Sequence, residues 1–175
     1  MRLFVAAELP ERMIEALSET SAALRDAVHG RFVSPDRFHV TLAFLGEVPA
    51  RDVERISGAV ERACLGHSPF AATLGELGTF GRGRKVALWQ GFSRGNDVWV
   101  ELARDVRGAL EAEGQTFDGR RIVPHVTLMY RAQILTSELP MPCVVEDVIH
   151  TVTLFSSDLS GDVPRYEPLA RVELR

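Results

Sequence analysis

Apolar residues recur along this chain at two different spacings, and the changes between them mark its elements. Leu3 to Ala7 is an unbroken apolar run that predicts a short buried strand. Pro10 then opens a helix, with Met13, Ile14, Leu17, Ala22, Leu24 and Val28 at roughly helical spacing. Phe38 to Leu45 alternates as a strand does and ends at Gly46. Pro49 starts a second helix that Val53, Ile56 and Val60 carry to about Cys64. Phe70 to Leu77 and Val86 to Phe92 predict two strands joined by a loop, Gly81-Arg82-Gly83-Arg84-Lys85. Asp97 to Glu113 predicts a third helix, with Val98, Leu102, Val106 and Leu110 at steps of four, stopped by Gly114. Strands are expected over Ile122 to Tyr130, Val144 to Phe155 and Tyr166 to Leu174, with a loop at Pro140 and Pro142. Helices and strands mix without strict alternation. The expected class is therefore α+β with mainly antiparallel sheet, in a single domain over residues 1–175.

One internal echo carries chemistry. His39-Val40-Thr41-Leu42 recurs letter for letter as His125-Val126-Thr127-Leu128. On a strand, side chains alternate between faces. In the first copy Phe38, Val40, Leu42 and Phe44 share one face, leaving His39, Thr41 and Ala43 on the other. In the second, Pro124, Val126, Leu128 and Tyr130 share one face, and Val123, His125, Thr127, Met129 and Arg131 the opposite one. Each imidazole thus has a hydroxyl beside it, about 7 Å along the strand. If the two strands face each other, two imidazoles and two hydroxyls line one cleft. Imidazole titrates near neutral pH, so one ring can accept a proton while the other gives one. Opening a cyclic phosphodiester needs that pair: a base for water and an acid for the departing ribose oxygen. Threonine hydroxyls can donate to the non-bridging oxygens. An isolated His-x-Thr is more often structural; the paired copy is what points to a site.

Composition narrows the function classes. A net charge of −4 over 175 residues argues against broad, non-specific binding to duplex nucleic acid but leaves room for a small phosphate site. Two local basic stretches stand out, Arg82, Arg84 and Lys85, and Arg120-Arg121, each explained most simply as a solvated turn. No apolar run approaches the ~20 residues of a transmembrane helix. The opening Met1 to Glu8 is too short and too soon acidic for a secretory signal, so the expected location is cytoplasmic. Cys64 and Cys143 make no Cys-x-x-Cys and are read as reduced thiols. His29, beside Gly30, is explained as a helix-end residue stabilised by the helix dipole; His67 and His150 lack a partner pattern. No His-x-His, His-x-x-x-His or paired-carboxylate spacing supplies zinc ligands, although His39 and His125 with a third residue would be the conceivable set.

These motifs, taken in order, resemble the two-histidine phosphoesterases, and within them the LigT-like RNA 2′,3′-cyclic phosphodiesterases, also called RNA 2′,5′-ligases. The resemblance runs through Arg2-Leu3-Phe4-Val5-Ala6 with Leu9-Pro10, then His39 to Gly46 with its Phe-Leu-Gly tail. It continues through Phe70, Leu77 to Arg82, Pro124 to Leu128, Ser157-Asp158-Leu159 and Tyr166 to Leu169. It implies two pseudo-symmetric lobes around a central cleft, and conversion of RNA 2′,3′-cyclic phosphate ends to 2′-phosphomonoesters, with 2′,5′ ligation as a related activity. It implies no metal and no cofactor. His39 and His125 carry over as the catalytic pair, with His125 favoured as base and His39 as acid, and Thr41 and Thr127 as substrate-binding hydroxyls. The family follows its second motif with an arginine five residues after the histidine; here that position is Tyr130, and Arg131 comes next. Strict alternation puts Arg131 on the histidine face, so it is the expected phosphate anchor, with Arg82 and Arg84 as substitutes. The expected partner is an RNA end bearing a 2′,3′-cyclic phosphate, and the expected state a monomer. The rivals are an esterase for a small cyclic nucleotide and a non-catalytic RNA-binding module.

Overall fold

The computed structural model describes residues 1–83 and 85–175; Arg84, one of the substitute anchors, lies outside the described residues. In chain order the elements are β1 (Arg2–Glu8), α1 (Glu11–Ala23), β2 (Val28–Phe32), β3 (His39–Glu47), α2 (Val53–Cys64), β4 (Phe70–Phe80), β5 (Val86–Arg94), α3 (Asn96–Ala112), β6 (His125–Ile134), β7 (Glu146–Ile149), β8 (Thr151–Asp158) and β9 (Arg165–Glu173). Short 3₁₀ turns at Pro35–Arg37 and Ala50–Asp52 precede β3 and α2. The strands form two antiparallel sheets, one ordered β3-β1-β8-β9 and the other β2-β6-β5-β4-β7. This is the α+β, antiparallel architecture that the pattern predicts. No helix among the described residues is long and apolar enough to cross a membrane.

One apolar core runs under both sheets. It takes Leu3, Val5 and Ala7 from β1, Val40 and Leu42 from β3, and Val126 and Leu128 from β6. The helices contribute Leu17, Ile56, Val60, Trp99, Leu102 and Val106. Burial of these side chains at about 25 cal/mol per Å² drives the fold, and strand alternation decides which residues are left facing out.

Three expectations change. The tail of the predicted first helix is a strand: Val28 pairs with Ile134 and His29 with Gln133, so no helix terminus explains His29. The predicted strand Val144 to Phe155 is two strands in different sheets, β7 on β4 and β8 on β1, with the break at His150. The second motif's strand begins at His125, the residues before it being irregular, and runs on to Ile134.

Candidate active site

β3 and β6 present their polar faces to one narrow cleft. Its lining includes His39, Thr41, His125 and Thr127, with Val33, Arg37, Tyr130 and Tyr166. The paired motifs therefore meet in space as their shared pattern requires. Val40 and Leu42, and Val126 and Leu128, are buried behind them.

Several ties hold the two strands in relation. Val33 N–H donates to the Leu128 carbonyl at 2.8 Å, fastening the approach to the first motif onto the strand of the second. From α3, Arg107 Nε donates to the Leu42 carbonyl at 2.9 Å, while its Nη1 donates to the Arg120 carbonyl at 2.8 Å. One guanidinium thereby ties β3 to the segment that leads into His125. Hydrogen bonds from a charged donor are the stronger kind, and the planar fork suits two separate acceptors.

The two imidazoles are held alike. His39 Nδ1 lies 2.7 Å from the Arg37 carbonyl oxygen, and His125 Nδ1 lies 2.6 Å from that of Val123. A carbonyl can only accept, so Nδ1 carries the hydrogen in both rings. That leaves Nε2 of each as the lone-pair nitrogen. On His39 this nitrogen meets the Thr41 hydroxyl, which donates to it at 3.1 Å.

Aromatic rings fix the ring planes. Phe4 lies 5.0 Å and Tyr166 5.6 Å from His39, centroid to centroid. Phe80 lies 4.8 Å and Trp89 5.7 Å from His125. The first set comes together because β1, β8 and β9 are neighbours, with Phe4 opposite Phe155 and Ser157 opposite Tyr166. The second depends on a gap in β4. Gly78 pairs with Trp89, and a Cβ there would come within 2.3 Å of the indole. Gly78→Ala is expected to displace the Trp89 ring and loosen its support of His125. The measurement is kcat on a cyclic-ended substrate together with thermal melting. A fall in kcat of about tenfold or more with the cooperative melt preserved is the expected result, and an unchanged kcat would show that the indole does not hold the imidazole.

Burial disfavours charge on both rings. His39 is pushed down to about 4, chiefly by burial, with the fields of His125 and Arg37 adding to it and the Arg37 carbonyl opposing. His125 is also lowered, again chiefly by burial, with the Val123 carbonyl opposing. Both are therefore neutral at pH 7 in the free protein. A bound phosphate anion between them would reverse this for one ring, because an adjacent negative charge favours the imidazolium.

Arg131 is not where alternation puts it. Leu128 and Met129 are both fully buried, so the in-out pattern breaks there. The pairings of β6 with β5 and of β2 with β6 shift register at the same level, the mark of a β-bulge. Arg131 takes a positive φ of 54° and is exposed, and Tyr130 is the residue that turns into the cleft. Gly30 permits this geometry: a Cβ there would come within 2.8–2.9 Å of the Arg131 carbonyl, the Met129 sulfur and the Tyr130 carbonyl. Among the described residues the cleft's arginine is Arg37, which neither alternation nor motif spacing singles out. It ends the Pro35–Arg37 turn, and its Nε donates to Ser34 Oγ at 2.9 Å. Arg82 is likewise absent from the described cleft lining. No group of three or more His, Cys, Asp or Glu placed to hold a metal ion occurs among the described residues.

Comparison with known proteins identifies the family. Residues 7–89 match the family model for LigT like Phosphoesterase. An RNA 2′,3′-cyclic phosphodiesterase of Escherichia coli (strain K12) is 31% identical over 97% of this chain and 94% of its own length. One from Geobacillus stearothermophilus is 30% identical over 98% of this chain, which spans 56% of that longer protein. The crystal structure of Escherichia coli LigT complexed with 3′-AMP superposes with a TM-score of 0.84 at 30% identity, over 99% of this chain and 97% of that one. The crystal structure of a Thermus thermophilus protein, TT0787, superposes with a TM-score of 0.85 at 26% identity, over 100% of this chain and 98% of its own. With a relative 31% identical over nearly the whole of both chains, this chain belongs to the LigT-like phosphoesterase family.

Proposed function

We propose that this protein hydrolyses the 2′,3′-cyclic phosphate ends of RNA to 2′-phosphomonoesters, by general acid–base catalysis between His125 and His39. The observation that carries the reading is the matched pair of imidazoles in one cleft, each with Nδ1–H given to a backbone carbonyl and Nε2 left for proton transfer. In this reading His125 Nε2 takes a proton from water as its oxygen attacks phosphorus. The P–O3′ bond breaks, and protonated His39 Nε2 gives its proton to the departing 3′-oxygen. The phosphate stays on the 2′-oxygen. A 5′-hydroxyl in the place of water would give a 2′,5′ phosphodiester by the same steps. Thr41 and Thr127 donate to the non-bridging oxygens. Arg37 takes the anchoring role first expected of Arg131, since its permanent charge faces the growing negative charge.

No step calls for a metal, so turnover is expected to persist in EDTA. This reading places the protein in the cytoplasm, where the free thiols of Cys64 and Cys143 would stay reduced. The same reading has the chain act as a monomer, one two-lobed unit per cleft.

The test is steady-state turnover of an oligoribonucleotide with a 2′,3′-cyclic end beside a 2′,3′-cyclic mononucleotide, each in EDTA. Faster kcat/KM on the oligonucleotide supports an RNA substrate. Preference for the mononucleotide would move the reading to a small cyclic nucleotide, and turnover of neither would leave a binding module.

The pH profile should be displaced toward acid. Catalysis needs one proton on the pair, and kcat/KM reports the free protein. The singly protonated pair is most populated between its two macroscopic pKa values, and both rings lie below 6.5, with His39 at about 4. Above this window each further pH unit removes about nine-tenths of the active form, so kcat/KM falls as pH rises through neutrality. In the complex the phosphate anion favours the added proton, so kcat should peak at higher pH. A kcat/KM maximum above pH 7 would contradict the assignment of both protons to these buried rings.

A further inference from the structure

A second cavity, about 530 Å³, opens directly beside the cleft. One wall is the turn before β3, with Ser34, Asp36 and Arg37. The other is the segment entering β9, with Asp162, Arg165 and Tyr166. Arg37 and Tyr166 line both spaces, so the two adjoin. Arg31 Nη2 donates to the Asp162 carbonyl at 3.0 Å, fastening the far wall to β2. The volume lies within the range of small-molecule sites, about 300–1,000 Å³.

The side on which this cavity opens has a chemical meaning. In-line attack on a cyclic phosphate puts water and the leaving oxygen on opposite sides of phosphorus. With His39 as the acid, the ribose must lie on the His39 side. The cavity is on that side: Arg37 gives its carbonyl to His39, and Tyr166 packs edge-on against the His39 ring. A 3′-terminal cyclic phosphate leaves only the 5′ direction for the remaining strand. Its chemistry also fits a nucleotide better than a bare anion. Arg37 and Arg165 come from opposite walls and can meet phosphate, whereas Asp36 and Asp162 can accept from ribose hydroxyls and base amino groups.

We propose that this cavity receives the RNA strand immediately 5′ of the cyclic end, with Arg165 meeting the phosphodiester that joins the last two nucleotides. It rests on the phosphodiesterase reading above and adds where the strand lies and why an oligonucleotide is preferred.

Two variants test it. Arg165→Ala removes the proposed phosphate contact. Gly161→Trp fills the cavity from a position where a Cβ meets nothing nearer than the Val163 carbonyl at 3.7 Å, so the backbone need not move. The readout is the ratio of kcat/KM for a cyclic-ended oligoribonucleotide to that for a 2′,3′-cyclic mononucleotide without a 5′-phosphate. The ratio should fall at least tenfold in each variant, through KM for the oligonucleotide. A ratio within twofold of the parent protein in both variants, with turnover of both substrates intact, would overturn the cavity assignment and leave the phosphodiesterase reading standing. If the parent protein turns over neither substrate, the phosphodiesterase reading fails, and this assignment with it.

Discussion

His39→Ala and His125→Ala are each expected to lower kcat on a cyclic-ended RNA by about 10²–10⁴-fold, the usual contribution of one positioned acid or base. The fold should survive both. Each ring projects from the polar face of a strand whose opposite face, Val40 and Leu42 or Val126 and Leu128, holds the core. What each variant loses locally is an Nδ1–H bond to a single carbonyl and contacts with two aromatic rings, and at His39 also the bond from the Thr41 hydroxyl. The double variant should be little worse than either single one, because a pair that acts as acid and base in one step fails when either member is missing. Steady-state kinetics beside circular dichroism melts checks this. A folded single variant that keeps its rate within a few-fold would remove that imidazole from the mechanism.

The second large effect separates two arginines. Arg37→Ala is expected to lower kcat/KM at least tenfold, a loss of about 1.4 kcal/mol in transition-state stabilisation. Arg131→Ala should leave it within about twofold, below ~0.4 kcal/mol. The Arg37 side chain can be removed cleanly. Its contact with His39 is made through the backbone carbonyl, which the alanine keeps, and its side chain bonds only to Ser34 Oγ among the described residues. Arg37→Lys should recover part of the loss by restoring charge without the two-pronged geometry. The opposite ranking, with Arg131 the sensitive position, would mean that the bulge in β6 rearranges when substrate binds.

That contrast also marks how far the amino-acid sequence could be read. Alternation holds wherever a strand has one face on the core, so the placing of His39 with Thr41 and of His125 with Thr127 followed directly from the residues. It fails at Met129, where an extra residue enters one strand of a pair. A bulge depends on the neighbours: β2 must come close, and Gly30, far away in sequence, permits it. Nothing in Leu128 to Arg131 itself signals the slip. The strand holding Gly30 was hidden for a related reason: Val28-His29-Gly30-Arg31-Phe32 has three exposed residues in a row and no apolar rhythm. The split of residues 144–155 was hidden because both halves are strand-like. Only sheet membership distinguishes β7 from β8, and that is set by which edge each half can reach. Arg37 escaped notice because it lies in a turn, where neither period applies, although it stands two residues from the histidine.

The most direct test of the central claim follows the phosphorus itself. A short RNA with a 2′,3′-cyclic end is incubated with the protein in EDTA and watched by phosphorus NMR. The proposed reaction, in which His39 gives its proton to the 3′-oxygen as the family resemblance implies, predicts loss of the cyclic resonance and growth of a single 2′-phosphomonoester. A 3′-phosphomonoester would place the acid against the wrong ribose oxygen, and an unchanged cyclic resonance under conditions where the folded protein binds the RNA would contradict the phosphodiesterase reading altogether.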